Sequence, residues 1–80
     1  MRLDKYLKES RIIKRRTIAN EACDSGRVMI NDKVAKASQE VKNGDVIVIS
    51  FGNKETKVRV LSTAPAIRKE DAEKMFEYIV

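Results

Sequence analysis

The hydrophobic period of the sequence changes at Gly26, and this change constrains the fold more than any other feature. Before Gly26 the apolar residues recur at helical spacing, in two stripes made of Leu3, Tyr6, Leu7 and of Ile18, Ala19, Ala22, Cys23. These stripes predict a short helix that ends near Ser10 and a longer helix from about Lys14 to Ser25. Gly26 is then well placed as the left-handed residue that caps the second helix.

After Gly26 the sequence alternates as strands do, and turn residues separate the strands. RVMIND and KVAKAS predict a small hairpin around an Asn31–Asp32 turn. In VKNGDVIVISF, a turn at Asn43–Asp45 precedes a largely buried strand from Val46 to Phe51, and ETKVRVLS predicts a further strand. Two helices followed by several short strands predict an α+β domain with a small, mostly antiparallel sheet.

The end of the chain predicts one more helix. Pro65 interrupts the chain, and after it a set of apolar residues falls on one face of a terminal helix: Ala72, Met75, Phe76 and Ile79.

The length and composition exclude several classes of protein. With 80 residues the chain forms one small domain, and we expect a monomer. No apolar run approaches the roughly 20 residues that cross a bilayer, and the charged N-terminus does not resemble a signal peptide, which predicts a cytoplasmic protein without a membrane partner. The single Cys23 and the absence of histidine predict neither a metal site nor a catalytic thiol, and no cofactor is indicated.

The positive charge is concentrated at the N-terminus. Residues 1–16 contain seven cations and two acids, whereas the other 64 residues contain ten of each, so the net charge of +5 lies in the first fifth of the chain. Lys14, Arg15 and Arg16 fall at the predicted start of the second helix, where unpaired backbone N–H groups and the helix dipole also favour an anion. This combination predicts a phosphate site.

The four aromatic residues do not predict a surface for stacking bases. Phe51 and Phe76 are interpreted as core residues, and Tyr6 as packing with Leu3 and Leu7. Recognition should therefore depend on the shape and phosphates of a folded RNA.

Several motifs in residues 1 to about 51 occur in the order known from one family. These are R-L-D-x-x-L, a basic R-R-T segment, G-R-V, I-N and V-x-x-G-D-x-I. The sequence thus resembles the RNA-binding domain named after the fourth protein of the small ribosomal subunit, the S4 domain. The resemblance implies the S4-like, alpha-L type of fold, with two N-terminal helices packed on the sheet. It divides the chain into an RNA-binding domain at 1–62 and a C-terminal helical extension at 63–80.

Among stand-alone members, the sequence resembles the group that acts in bacterial ribosome-associated quality control, and next the heat-shock protein fifteen group. The first resemblance implies binding to rRNA of the large ribosomal subunit and to tRNA. It also implies cooperation with an RqcH-like factor in the alanine tailing of stalled chains. The second implies recycling of free large subunits that carry a nascent chain on tRNA.

The candidate RNA-binding residues are Arg2, Asp4, Lys5, Lys8, Arg11, Lys14, Arg15, Arg16, Lys33 and Lys36. Arg16 is the strongest single candidate, because a guanidinium can bind phosphate with two N–H groups and can stack on a base. Lys8, Lys33 and Lys36 could also be ordinary solvated lysines. Asp4 is included on family resemblance. It could orient a cation, accept a hydrogen bond from RNA, or complement the dipole of the first helix.

Two other functional classes remain open from the sequence. An RNA-modifying enzyme is disfavoured, because neither a carboxylate pair nor histidine accompanies the basic residues. A protein adaptor would instead use the basic residues to bind an acidic partner and the terminal helix to fill an apolar groove.

Overall fold

Two short helices form one layer of the protein. The structure is a computed structural model that describes residues 1–64 and 68–79. Helix α1 spans Leu3–Glu9 and helix α2 spans Arg16–Asp24, so the first ends near Ser10 as predicted. The second begins later than the predicted Lys14, because the backbone of Arg15 is extended (φ −120°, ψ 135°) and forms the N-cap. No helix in the described ranges is long and apolar enough to cross a membrane.

Gly26 ends α2, as predicted. Its φ is +80°, and its N–H donates to the carbonyl oxygen of Cys23 at 3.0 Å. The N–H of Arg27 donates to the carbonyl oxygen of Ala22 at 3.0 Å. These two bonds form a Schellman motif, which requires a left-handed residue that glycine adopts without strain. The turn directs the chain from α2 into the sheet.

The second layer is a five-stranded sheet in the order β2-β1-β3-β4-β5. Its strands are β1 (Val28–Ile30), β2 (Lys33–Val34), β3 (Val46–Phe51), β4 (Lys54–Val60) and β5 (Phe76–Tyr78). All four strand pairings are antiparallel. The predicted α+β class, with helices segregated from an antiparallel sheet, is therefore confirmed.

The predicted Asn31–Asp32 turn joins β1 to β2 and also fastens the hairpin to a second turn. Both residues have positive φ (51° and 68°), as a type I′ turn requires. The Nδ2 of Asn31 donates to Oδ1 of Asp45 at 3.1 Å, and its Oδ1 accepts from the N–H of Val46 at 3.0 Å. Asp45 also accepts from the N–H of Lys42 at 2.9 Å. Side chains from the I-N and G-D motifs thus hold the two turns together.

The C-terminal segment differs from the prediction. Helix α3 is short (Lys69–Glu73), and the chain then forms β5, which pairs with β4. The prediction that Met75, Phe76 and Ile79 lie on a helix face with Ala72 is therefore wrong, because the helix ends at Glu73. Residues 76–78 form backbone hydrogen bonds with β4, which is not adjacent in the sequence. The spacing of apolar residues within the segment does not reveal such a partner strand.

The C-terminal segment is attached to α1 by a buried hydrogen bond. The hydroxyl of Tyr6 donates to the carbonyl oxygen of Met75 at 2.7 Å. Pro65 lies outside the described residues, and the division into 1–62 and 63–80 stays a prediction. In the structure, residues of 63–80 contribute the fifth strand of the same sheet.

The core lies between the helices and the sheet. Tyr6, Leu3 and Leu7 are fully buried in it, as the sequence predicted. Residues from α2 and the strands complete it, among them Ala19, Ala22, Cys23, Val28, Ile47, Ile49, Val58 and Val60. The interpretation of Phe51 as a core residue is wrong, because Phe51, at the end of β3, is 39 % exposed. Ile18, a member of the apolar stripe of α2, is 44 % exposed.

Candidate nucleic-acid interface

Two arginines bind one buried carboxylate where α1 meets α2. The side chain of Asp4 is 3 % exposed. Its Oδ1 accepts from Nε of Arg2 at 3.2 Å, and its Oδ2 accepts from Nη2 of Arg2 at 3.3 Å and from Nε of Arg16 at 3.4 Å. Asn20 adds a bond from Nδ2 to Oδ2 at 3.3 Å. We call Arg2, Asp4, Arg16 and Asn20 the arginine clamp.

Helix geometry explains how α2 reaches the carboxylate. Arg16 and Asn20 are four residues apart, so they lie on the same side of the helix. The small residues Ala19 and Ala22 of α2 are buried in the core, and their small side chains let α2 pack closely. Both polar side chains of α2 therefore meet the first turn of α1.

Backbone pairing fixes the position of Arg2. The N–H of Leu3 donates to the carbonyl oxygen of Gln39 at 2.8 Å, and the N–H of Asp4 donates to that of Ala37 at 3.1 Å. Arg2 itself forms a β-bridge with Glu40. The start of the chain is thus bound to the loop that follows β2, and the clamp rests on a fixed backbone.

The clamp keeps Asp4 ionised. Burial alone would raise the pKa of Asp4, but the hydrogen bonds from Asn20, from the N–H of Lys5 and from Arg16, with the positive charge of Arg16, lower it below its usual 3.8. From residues 1–64 and 68–79 the carboxylate accepts five hydrogen bonds, including one from the Lys5 N–H at 2.8 Å. A contact from Asp4 to RNA therefore has no support, whereas the predicted contact that orients a cation is present.

The arginines of the clamp remain open to solvent. The side chains of Arg2 and Arg16 are each 49 % exposed. Arg16 uses only Nε on Asp4, and within the described parts of the chain its two terminal nitrogens have no hydrogen-bond partner. A phosphate can therefore approach a guanidinium that Asp4 already holds in place.

Three further cations lie on α1 or directly after it. Lys8 is exposed one turn after Asp4 on α1, and Lys5 is partly exposed. Arg11 follows the end of α1 with a φ of +63°, which is unusual for a residue with a side chain. All of these residues lie on α1 or directly after it, as the sequence predicted.

The KRR triplet does not lie wholly inside α2. Lys14 is in the bend before the helix, Arg15 is the N-cap and Arg16 is the first helical residue, and all three are exposed. No side chain caps α2, and its first turn contains no acid. The free N–H groups and the helix dipole therefore add to the three positive charges, as predicted.

The two hairpin lysines adjoin the same N-terminal anchor. Lys36 is exposed and precedes Ala37, whose carbonyl oxygen binds the N–H of Asp4. Lys33 is exposed in β2 and lines a shallow groove with Gln39 and Lys42. Direct contact with the clamp is shown for neither lysine.

Sequence analysis missed Asn20 as a member of the clamp. Its spacing of four residues from Arg16 indicates that the two side chains share one side of the helix. Their common partner Asp4 could be recognised only with the knowledge that α1 packs against α2.

Cys23 is buried, and burial together with the charges of Asp4 and Asp24 raises the pKa of its thiol to about 11. The thiol is thus protonated at neutral pH and is a poor nucleophile. The site as a whole is suited to binding a polyanion.

Comparison with known proteins supports this assignment. Residues 1–47 match the model of the S4 domain. The chain belongs to the S4 domain family. The motifs that predicted this membership, from R-L-D-x-x-L to V-x-x-G-D-x-I, lie in or next to the matched part.

Relatives cover nearly the whole chain. A protein of Streptococcus pneumoniae named RQC P-site tRNA stabilizing factor is 53% identical over 79 residues, which are 99% of this chain and 90% of the relative. A protein of the same name from Halalkalibacterium halodurans is 51% identical over 77 residues, 96% of this chain and 88% of the relative. The predicted resemblance to the quality-control group is confirmed.

The fold of this S4 domain also matches a solved heat-shock protein. The trimeric structure of Vibrio cholerae heat shock protein 15 superposes with a TM-score of 0.89 at 28% identity, covering 99% of this chain and 81% of that chain. The second predicted resemblance, to the heat-shock group, is thus confirmed as well.

Proposed function

We propose that this protein is a non-catalytic factor that binds rRNA of the large ribosomal subunit and a P-site tRNA during ribosome-associated quality control. The observation that carries the proposal is the arginine clamp, in which a buried, ionised Asp4 fixes two half-exposed guanidiniums. The names of the relatives from Streptococcus pneumoniae and Halalkalibacterium halodurans support the choice of ligand.

Fixed guanidiniums suit the phosphates of a folded RNA. An arginine that Asp4 already orients loses less side-chain entropy when a phosphate binds than a mobile lysine does. The contacts of the clamp therefore favour a particular spacing of phosphates. Because phosphates carry no base identity, such contacts recognise the shape of an RNA rather than its sequence.

The proposed residues divide into two roles. Arg2, Arg16 and the other candidate cations contact phosphate directly, and these are Lys5, Lys8, Arg11, Lys14, Arg15, Lys33 and Lys36. Asp4 is a positioning residue, because its oxygens are occupied by Arg2, Arg16, Asn20 and a backbone N–H.

The cellular role belongs to the same proposal. The protein acts in the cytoplasm as a monomer, together with an RqcH-like factor, and supports the alanine tailing of stalled nascent chains. The fold it shares with Vibrio cholerae heat shock protein 15 favours one alternative, in which the protein recycles free large subunits that carry a nascent chain on tRNA.

Co-sedimentation with large ribosomal subunits tests the proposal. Purified protein is centrifuged through a sucrose gradient with the subunits at several salt concentrations, beside the Arg16→Ala variant. Arg16→Ala should weaken binding at least about 10-fold, the effect of losing one charge-assisted contact of roughly 1.4 kcal/mol or more. It should also make the slope of log affinity against log salt concentration shallower, by the amount expected for about one phosphate contact.

Arg59→Ala is the matched control. The Arg59 side chain is 50 % exposed and is paired with Glu77 at 2.9 Å, so its removal changes the net charge equally without touching the clamp. Equal weakening by both variants would show that net charge alone governs binding, and it would contradict the proposal. Binding that survives digestion of the rRNA would favour a protein adaptor instead.

A further inference from the structure

A shallow apolar groove lies on α2, away from the arginine clamp. It is lined by Ile18, Glu21, Ala22, Ser25, Arg27 and Phe51, and its volume is about 240 Å³. Two of these residues are exposed although they are large and hydrophobic, namely Ile18 and Phe51. Sites that hold whole small-molecule ligands usually measure roughly 300 to 1,000 Å³, so this groove has room for about one planar ring system.

The groove and the clamp occupy different sides of one helix. Successive helical residues are about 100° apart, which places Ile18 roughly 200° around α2 from Arg16. Ile18 and Ala22 are four residues apart and share the other side. Arg27, which follows the Gly26 turn, lines the groove beside them. The groove therefore has a cation of its own, separate from the two arginines of the clamp.

We propose that the groove holds one unstacked nucleobase of the RNA whose phosphates the basic residues bind. This inference rests on the proposed function. The ring of Phe51 offers a stacking surface, and Ile18 and Ala22 supply the apolar wall that a base occupies when it leaves a helix. The Glu21 carboxylate at the rim can accept a hydrogen bond from an exocyclic amino group.

The charges around the groove favour a nucleotide over a protein side chain. Arg27 lines the groove after the Gly26 turn. A base in RNA is always accompanied by phosphates, and Arg27 can neutralise one of them. An apolar protein side chain would occupy the same volume but would gain nothing from this cation.

Binding to purified large ribosomal subunits, measured at several salt concentrations, tests the inference. Phe51→Ser should weaken binding roughly 5- to 150-fold, the range that corresponds to the loss of one base–aromatic stack. The salt dependence should stay unchanged, because no phosphate contact is lost. Phe51→Tyr keeps the ring and should bind like the wild type.

Chemical probing identifies the occupant. Dimethyl sulfate modifies accessible adenine, cytosine and guanine, and a carbodiimide modifies accessible uracil. With both reagents, wild-type protein at saturation should protect one rRNA or tRNA base that Phe51→Ser leaves reactive. Leu61→Ser is the matched control, because Leu61 is an apolar residue that is 45 % exposed, close to the 39 % of Phe51, and lies outside the groove. Circular dichroism establishes that each variant is folded.

The outcomes separate the inference from the proposed function. If Arg16→Ala weakens binding and Phe51→Ser changes neither affinity nor base protection, the groove inference is overturned and the proposed function stands. If neither variant weakens binding, both are overturned. If Phe51→Ser weakens binding without changing the reactivity of any base, a protein side chain occupies the groove and the inference is again overturned.

Discussion

Two arginine–carboxylate contacts in this protein have similar arginines and different carboxylates. Arg16 is 49 % exposed and Arg59 is 50 % exposed. Asp4, the partner of Arg16, is 3 % exposed, whereas Glu77, the partner of Arg59, is 49 % exposed. The exposed pair even has the shorter distance, 2.9 Å against 3.4 Å. Distance therefore does not distinguish the two contacts, but burial of the acid does.

The difference lies in how firmly each guanidinium is held. Glu77 can turn into solvent and leave Arg59, and exposed pairs of this kind contribute about 0 to 1 kcal/mol. Asp4 is fixed by burial and by hydrogen bonds from Asn20 and the N–H of Lys5, so its oxygens hold their positions without Arg16. A buried acid can thus orient an exposed cation for a ligand, which an exposed acid does poorly.

The largest expected effect comes from neutralising the buried acid. Asp4→Asn keeps the shape of the side chain but turns an NH₂ group toward donors, so buried hydrogen bonds to a charged acceptor are lost. Unfolding in urea should show a loss of about 2 kcal/mol. This loss is smaller than the loss expected when a fully buried ion pair is broken, because both guanidiniums are half-exposed.

Glu77→Gln provides the comparison for that variant. It should change stability by less than about 0.5 kcal/mol, because both partners of its ion pair are exposed. Asp4→Asn should also weaken binding to large subunits, and Glu77→Gln should not. Equal stability losses in the two variants would show that burial of the acid makes no difference.

Arg11 provides a third case for comparison, because its backbone conformation is unusual. Its φ of +63° is strained for a residue with a side chain and costs about 1 kcal/mol. Arg11→Gly should therefore raise the free energy of unfolding by about 0.5 to 1 kcal/mol while weakening RNA binding. Urea unfolding and co-sedimentation measure the two effects on the same protein.

Lys8→Ala separates the backbone effect from the charge effect. It also removes one positive charge near the end of α1, but from a helical position without strain. It should reduce the salt dependence of binding as Arg11→Gly does and should not increase stability. If Arg11→Gly stabilised the protein and left binding intact, Arg11 would have no part in the interface.

Much of the fold was predictable because its signals are local. The Gly26 cap, the Asn31–Asp32 turn and the strand from Val46 each depend on residues that are neighbours in the sequence. The terminal strand depends instead on β4, whose Val60 is opposite Phe76. The spacing of Ala72, Met75, Phe76 and Ile79 also fits a helix, so a local pattern alone favoured the wrong structure.

In the candidate site, too, the local features were predictable and the features that depend on contacts between distant residues were not. Charge counting alone located the basic N-terminus, and family resemblance brought in Asp4. The role of Asp4 as an anchor for two arginines required the contact between α1 and α2, as did the membership of Asn20. The exposure of Phe51 could not be predicted either, because alternation along β3 does not show where the helices cease to cover the sheet.

The remaining prediction concerns the response of the clamp to acid. The folded-state pKa of Asp4 is below its usual 3.8, so the clamp stabilises the protein fully above that value and loses its contribution as the pH falls through the folded pKa. Stability of the wild type and of Asp4→Asn, measured by urea unfolding between roughly pH 5 and pH 2, should converge as the carboxyl group becomes protonated. Parallel curves for the wild type and Asp4→Asn would mean that the charge of Asp4 does not hold the arginines, and that only the shape of its side chain matters.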